Sequence, residues 1–144
     1  MPAMSLHKER RRKINNSDEN EIEDYLTNLA TNNSIDICKA DDLESATPDT
    51  AITSINVIIM NTNFDTRSSY LYRLAHEISH ILYGDKELQG VYNFSELGKR
   101  GEELKAHHNA VKLLLNIEQP TSVINFMDFY RVPAWLGDYV VSQF

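Results

Sequence analysis

Apolar residues along this 144-residue chain alternate between helix-like and strand-like spacing. Ile22, Leu26, Leu29 and Ala30 recur on one helical face, behind a first turn that holds Asp18, Glu19 and Glu21 at the positive end of the helix dipole. Asn16 and Ser17 are residue types that cap such a start, and Asn32 to Ser34 break the pattern. Ile35 and Ile37 suggest a short strand, Asp41 to Asp49 with Pro48 a loop or short helix, and the β-branched stretch Ile52 to Met60 a strand. Asn61 to Ser69 is a polar turn. A helix is predicted over 70–83, ended by Gly84, then a loop with Gly90, Gly98 and Gly101, then a second helix from Glu102 to Asn116 before Pro120. Thr121 to Tyr130 is helical. Pro133 interrupts, and Trp135, Leu136, Tyr139 and Val140 suggest a last short turn of helix packed on the body.

Composition narrows the class. Apolar residues make up 42% and charged residues 24%, and no apolar run approaches the length that crosses a bilayer, which excludes membrane spanning, collagen and wholesale disorder. The length fits one domain. The formal charge of −7 is unevenly spread: Lys8, Arg10, Arg11, Arg12 and Lys13 against Glu9 carry +4, which leaves −11 on residues 14–144. An acidic body makes poor contact with phosphates, so direct nucleic-acid binding by the folded part is disfavoured, and the basic segment reads as a solvated tail. Cys38 is alone and no apolar leader follows the amino end, so a reducing cytoplasm is expected.

The chemistry concentrates at His76-Glu77-Ile78-Ser79-His80, an H-E-x-x-H sequence whose two imidazoles stand one turn apart on a helix and can grip one ion from one side. At about 100° per residue, Leu71, Leu74, Ala75, Ile78, Ile81 and Leu82 form one stripe, while His76, Glu77 and His80 cluster opposite, away from the core. The competing reading is a solvated polar face. A catalytic zinc site usually has three protein ligands and an open fourth position. In the second helix Glu103 falls at the centre of the stripe Ala106, Ala110, Leu113, Leu114 and Ile117, where an unpaired carboxylate is costly. Metal ligation would remove that cost and makes Glu103 the expected third ligand, with Glu102 as the fallback. Alternatively Glu103, at the helix start, meets free amide groups. His107 follows one turn later as a group supporting the ligands, a donor to the transition state or a further ligand; His108 points away and is expected to be exposed. Tyr83 and Tyr92 are other candidates for stabilising an oxyanion. Zinc suits two imidazoles and one carboxylate, although manganese or iron fits the same set. Glu77, beside the ligands, has the position of a general base that takes a proton from water and returns it to a leaving amine, which is peptide hydrolysis.

Leu74-Ala75-His76-Glu77-Ile78-Ser79-His80-Ile81-Leu82, followed by Glu103-x-x-Ala106-x-x-x-Ala110-x-x-Leu113-Leu114, resembles the ImmA/IrrE family of metallopeptidases. The strand at Ser54 to Met60 ending in Asn61 fits the family layout, and Val132-Pro133-Ala134-Trp135-Leu136 is a weaker echo. The resemblance implies an α+β fold: a mostly helical, zincin-like metallopeptidase domain over 17–144, with a small β-sheet beside the metal-binding helix, behind a basic, flexible tail over 1–16. It makes His76, His80 and Glu103 the ligands of one divalent ion, Zn2+ before Mn2+, and Glu77 the base. Two positions depart from the pattern: His107 stands where relatives often carry Asp or Asn, and Asn109 where they often carry Phe. The implied function is site-specific cleavage of a helix-turn-helix repressor in a bacterial host cell, which releases the genes of a prophage or mobile element. A non-catalytic anti-repressor that sequesters the same partner is the alternative. An extended substrate can pair with a free strand edge, for which Thr53 to Met60 is the candidate, with Ile55, Val57 and Ile59 in contact. The acidic body favours a basic partner surface such as a repressor's DNA-binding face.

Overall fold

The computed structural model describes residues 16–84 and 96–144, the side chains of 16, 17 and 96–98 excepted. The basic tail, Gly90 and Tyr92 lie outside the described residues. Helix α1 spans Asn16–Asn32, so Asn16 and Ser17 sit in its first turn, and it buries Ile22, Leu26 and Ala30. Strand β1 (Asp36–Ala40) follows a turn at Ser34, whose φ is 59°. The residues from 41 to 49 form a connection without regular structure, as expected. Helix α2 covers Tyr70–Tyr83, the range that the periodicity predicts. The Ser69 side chain accepts from the Tyr72 amide and so caps its first turn.

The predicted strand from Ile52 to Met60 is two strands. Strand β2 (Thr50–Ile52) turns through residues 53–56 into β3 (Val57–Asn61). Asn56 takes the left-handed conformation at φ 55°, which its short polar side chain tolerates. The sheet order is β1-β3-β2: β3 pairs in parallel with β1 and antiparallel with β2. This corrects the candidate edge. Val57 faces Asp36 on one side and Ile52 on the other, and Ile59 lies between Cys38 and Thr50, so neither has a free backbone edge. Ile55 is in the turn, 63% exposed. Ile58 and Met60 alternate with Val57 and Ile59 and are fully buried, which makes β3 the apolar centre of the sheet. Among the described residues, β2 is the edge strand on the side of α2.

Helix α3 runs over Glu96–Ile117, six residues earlier than predicted. Gly98 and Gly101 read as breakers, yet Gly101 has no positive φ and a Cβ there would meet nothing within 4 Å, so no special backbone requirement ends the helix. Ala106, Ala110, Val111, Leu113 and Leu114 are buried along its second half. Helix α4 (Val123–Tyr130) is capped by Ser122 and ends at Arg131, φ 49°. A short 3-10 turn (Ala134–Leu136) leads into α5 (Gly137–Ser142). The described residues thus make an α+β fold with a three-stranded sheet. None of their helices is long and apolar enough to cross a membrane.

The position of α2 follows from its composition. It touches α1, β2, β3, α3 and α4, and Leu71, Leu74, Ala75, Ile78 and Ile81 lie in the common core with Leu26, Ile58, Leu114 and Phe126. Its flanks are covered at Tyr72, Glu77 and Ser79, and on the far side the His76 and His80 side chains are only 14% and 13% exposed. The histidine face is therefore not a solvated one.

Candidate metal centre

His76 and His80 stand four residues apart on α2, with ring centroids 4.8 Å apart. Their side chains are 14% and 13% exposed, because α3 packs across them. Glu103 reaches in from α3. Its Oε2 is 3.2 Å from His76 Nε2 and its Oε1 is 3.1 Å from His80 Nε2. One ligand atom from each of the three residues falls within 4.8 Å of the others, a group able to hold a metal ion. Glu102 lines the same cleft but is outside this group. Glu103 lies about two turns inside α3, so the unpaired amides at a helix start do not account for it. Nor is it sunk in the apolar stripe: its side chain is 47% exposed, at the mouth of the site.

The donor atoms fit an ion. Bonds of about 2.0–2.2 Å around a tetrahedral zinc put neighbouring ligand atoms roughly 3.4 Å apart, close to the separations between Glu103 and the two imidazoles. His76 Nε2 is buried and has no hydrogen bond, although a carboxylate oxygen is 3.2 Å away out of line. A buried nitrogen without a well-formed hydrogen bond is costly unless something else binds its lone pair. The set of two imidazoles and one carboxylate matches zinc and accepts manganese.

Electrostatics tie the group together. The imidazoles of His76 and His80 hold the Glu103 carboxyl far below the usual carboxylate range. Burial works against charge on His80, but the hydrogen bond and charge of Glu103 outweigh it and raise its pKa. Glu77 follows His76 and turns its Oε2 to within 3.4 Å of His76 Nδ1. Burial pushes its carboxyl up, against the opposing pull of His76 and His80. It lines the cleft without joining the three candidate ligand atoms.

His107, one turn after Glu103, stacks on the His76 ring at 4.1 Å and 13°. Its Nδ1 is 2.7 Å from the Tyr72 hydroxyl, and Trp135 meets it edge-on at 5.3 Å. Burial and the neighbouring His76 push its pKa down to about 4, so the ring is neutral at pH 7. It is not among the three ligands. His108 is half-buried rather than exposed, stacked on Tyr139 at 3.7 Å. Tyr83 is 45% exposed and does not line the cleft. The tyrosine that sequence reasoning missed is Tyr72, four residues before His76 and on its face of α2.

The cleft has a volume of about 980 Å³ and runs between residues 48–54 on one wall and α2 with α3 on the other. Two further residues on its wall escaped the sequence reading. Arg73 Nη1 donates to both Asp49 oxygens, at 3.0 and 2.9 Å, and Asp49 Oδ1 also accepts from the Asn61 amide at 2.8 Å. Arg73 had one available signal: it precedes His76 by three residues and so belongs to the polar face of α2. Asp49 had none, because its partners are distant in the chain. Comparison of the chain with protein-family models, with curated proteins and with solved structures finds no match.

Proposed function

We propose that the chain is a zinc-type metallo-endopeptidase, zincin-like in fold and similar to the ImmA/IrrE family, that cleaves a helix-turn-helix repressor and relieves repression of a prophage or mobile element. The observation that carries this reading is the convergence of His76, His80 and Glu103 beside a buried Glu77 that is not one of them. A divalent ion held by the three supplies a Lewis acid for the scissile carbonyl and lets water act as a nucleophile near neutral pH. Glu77 takes the proton from the attacking water on its carboxylate and passes it to the leaving amine nitrogen. A carboxyl whose pKa is raised by burial is suited to both transfers. His107, neutral and tied at Nδ1 to Tyr72, flanks His76 and is a candidate donor to the developing oxyanion.

Substrate engagement moves from β3 to β2. An extended chain pairs with the outer edge of Thr50–Ile52, which lines the cleft, and so runs along the wall opposite Glu103. The acidic body suits a basic partner. The test mixes purified, metal-loaded protein with the repressor encoded by the same element and follows both by mass spectrometry. Glu77→Gln is expected to keep the ion and lower cleavage by about 10²–10⁴-fold. Cleavage that persists in both Glu77→Gln and His80→Ala would overturn the mechanism, and tight binding without cleavage by loaded wild type would favour the sequestering anti-repressor.

A further inference from the structure

Strand β2 has three residues, and its ladder to β3 joins Thr50 to Ile59, Ala51 to Ile58 and Ile52 to Val57. So short an edge strand frays unless its ends are held. Its carboxyl end is held by the turn into β3. Its amino end begins directly after Asp49, whose side chain is 4% exposed and paired with Arg73, 12% exposed. The pair is a junction. Asp49 Oδ1 accepts the Asn61 amide at the end of β3, Arg73 Nη1 approaches the Asn61 carbonyl at 3.3 Å, and the Arg73 guanidinium lies over the Phe64 ring. Asn61, fully buried, donates from Nδ2 to the carbonyls of Glu44 and Thr47, which fastens the connection that leads to Asp49.

Arg73 also lies one turn before His76 on α2. The ion pair thus ties the wall that carries β2 to the helix that carries two metal ligands. Burying two charges is expensive, and an apolar pair of similar volume often gives equal or greater stability, so stability alone is a weak account of this one. We infer that Arg73 and Asp49 are positioning residues: they fix the β2 edge relative to His76 and His80, and so set which bond of an extended polypeptide lying on β2 meets the ligand group. The fastening of β2 stands on the geometry alone; its consequence for a bound polypeptide rests on the endopeptidase reading.

The test uses the full chain and two variants, Asp49→Asn, which keeps an acceptor for the Asn61 amide while removing the charge, and Arg73→Lys, which keeps the charge and loses the planar guanidinium over the Phe64 ring. Hydrogen exchange of metal-free protein is read at Thr50, Ala51 and Ile52 and in α2. Asp49→Asn is expected to speed β2 exchange by about tenfold or more while α2 stays protected, with Arg73→Lys between it and wild type. Unchanged β2 protection, or loss of protection spread evenly over α2 and β2, would overturn the fastening.

In a second arm, cobalt-loaded proteins are titrated with acetohydroxamate, which is too small to reach β2, and with a peptide hydroxamate long enough to lie along it. Asp49→Asn is expected to weaken the peptide hydroxamate by about tenfold while acetohydroxamate and cobalt affinity hold. Equal weakening of both hydroxamates, or of neither, would overturn the positioning role. Failure of both to bind wild type would count against the endopeptidase reading and against the substrate half of this inference, while the exchange arm still decides the fastening.

Discussion

The two helices that carry the candidate ligands are built differently. Around His76 and His80, α2 is buried on nearly every side, and the two imidazoles are 14% and 13% exposed. The first half of α3 is open to solvent at Lys99, Arg100, Leu104 and Lys105, and Glu103 is 47% exposed. The imidazoles are held by packing, whereas Glu103 is held mainly by its attraction to them. One helix presents two imidazoles fixed by packing, and the other closes the candidate site with a more exposed carboxylate.

That contrast is sharpest in stability. Ile78→Ala, on the fully buried face of α2, should cost about 2–5 kcal/mol, and Leu104→Ala, on the open side of α3, less than about 1 kcal/mol. Denaturant melts check both, and similar losses would break the comparison. The ligands should follow the same order. His80→Ala should weaken zinc binding by more than about a hundredfold, and Glu103→Gln by less, because solvent can take the place of an exposed carboxylate. Calorimetric titration measures each, and a larger loss at Glu103 would reverse the order of the packed and exposed halves.

Dependence on pH separates the same two halves when metal is absent. His80 has a raised pKa beside Glu103, whose own pKa is lowered. Their ion pair therefore contributes most between about pH 5 and 6.5, and fades as pH rises through the raised His80 value. Ion binding needs a neutral imidazole and runs the other way, lost as pH falls through the raised His80 value. Thermal melts with and without zinc should show a metal increment that grows from pH 6 to 8; an increment independent of pH would contradict the pairing. The smallest expected effect is Gly101→Ala. A Cβ there meets nothing within 4 Å and α3 gains a better helix former, so stability should rise by about 0.5–1 kcal/mol.

The contrast also explains what could be read in advance. Helix α2 was legible to the residue because Leu71, Leu74, Ala75 and Ile78 repeat at helical spacing and Ser69 and Gly84 bound it. Glu103 was legible from its spacing to Ala106 and Ala110, although its exposure was not. The start of α3 was hidden because Gly98 and Gly101 carry a breaker's composition without a breaker's backbone. The division of β2 from β3 was hidden because the turn holds β-branched Thr53 and Ile55, and its one signal is Asn56, which tolerates positive φ. The junction of Asp49, Asn61 and Arg73 is long-range pairing, which no local pattern encodes.

His76, His80 and Glu103 are proposed to hold one divalent ion together. Elemental analysis of zinc-reconstituted, dialysed protein tests it directly, on wild type and on His76→Ala, His80→Ala and Glu103→Ala. One ion per chain is expected in wild type, and its loss or marked depletion in each variant. A wild type that retains no ion, or variants that retain as much as wild type, would contradict it.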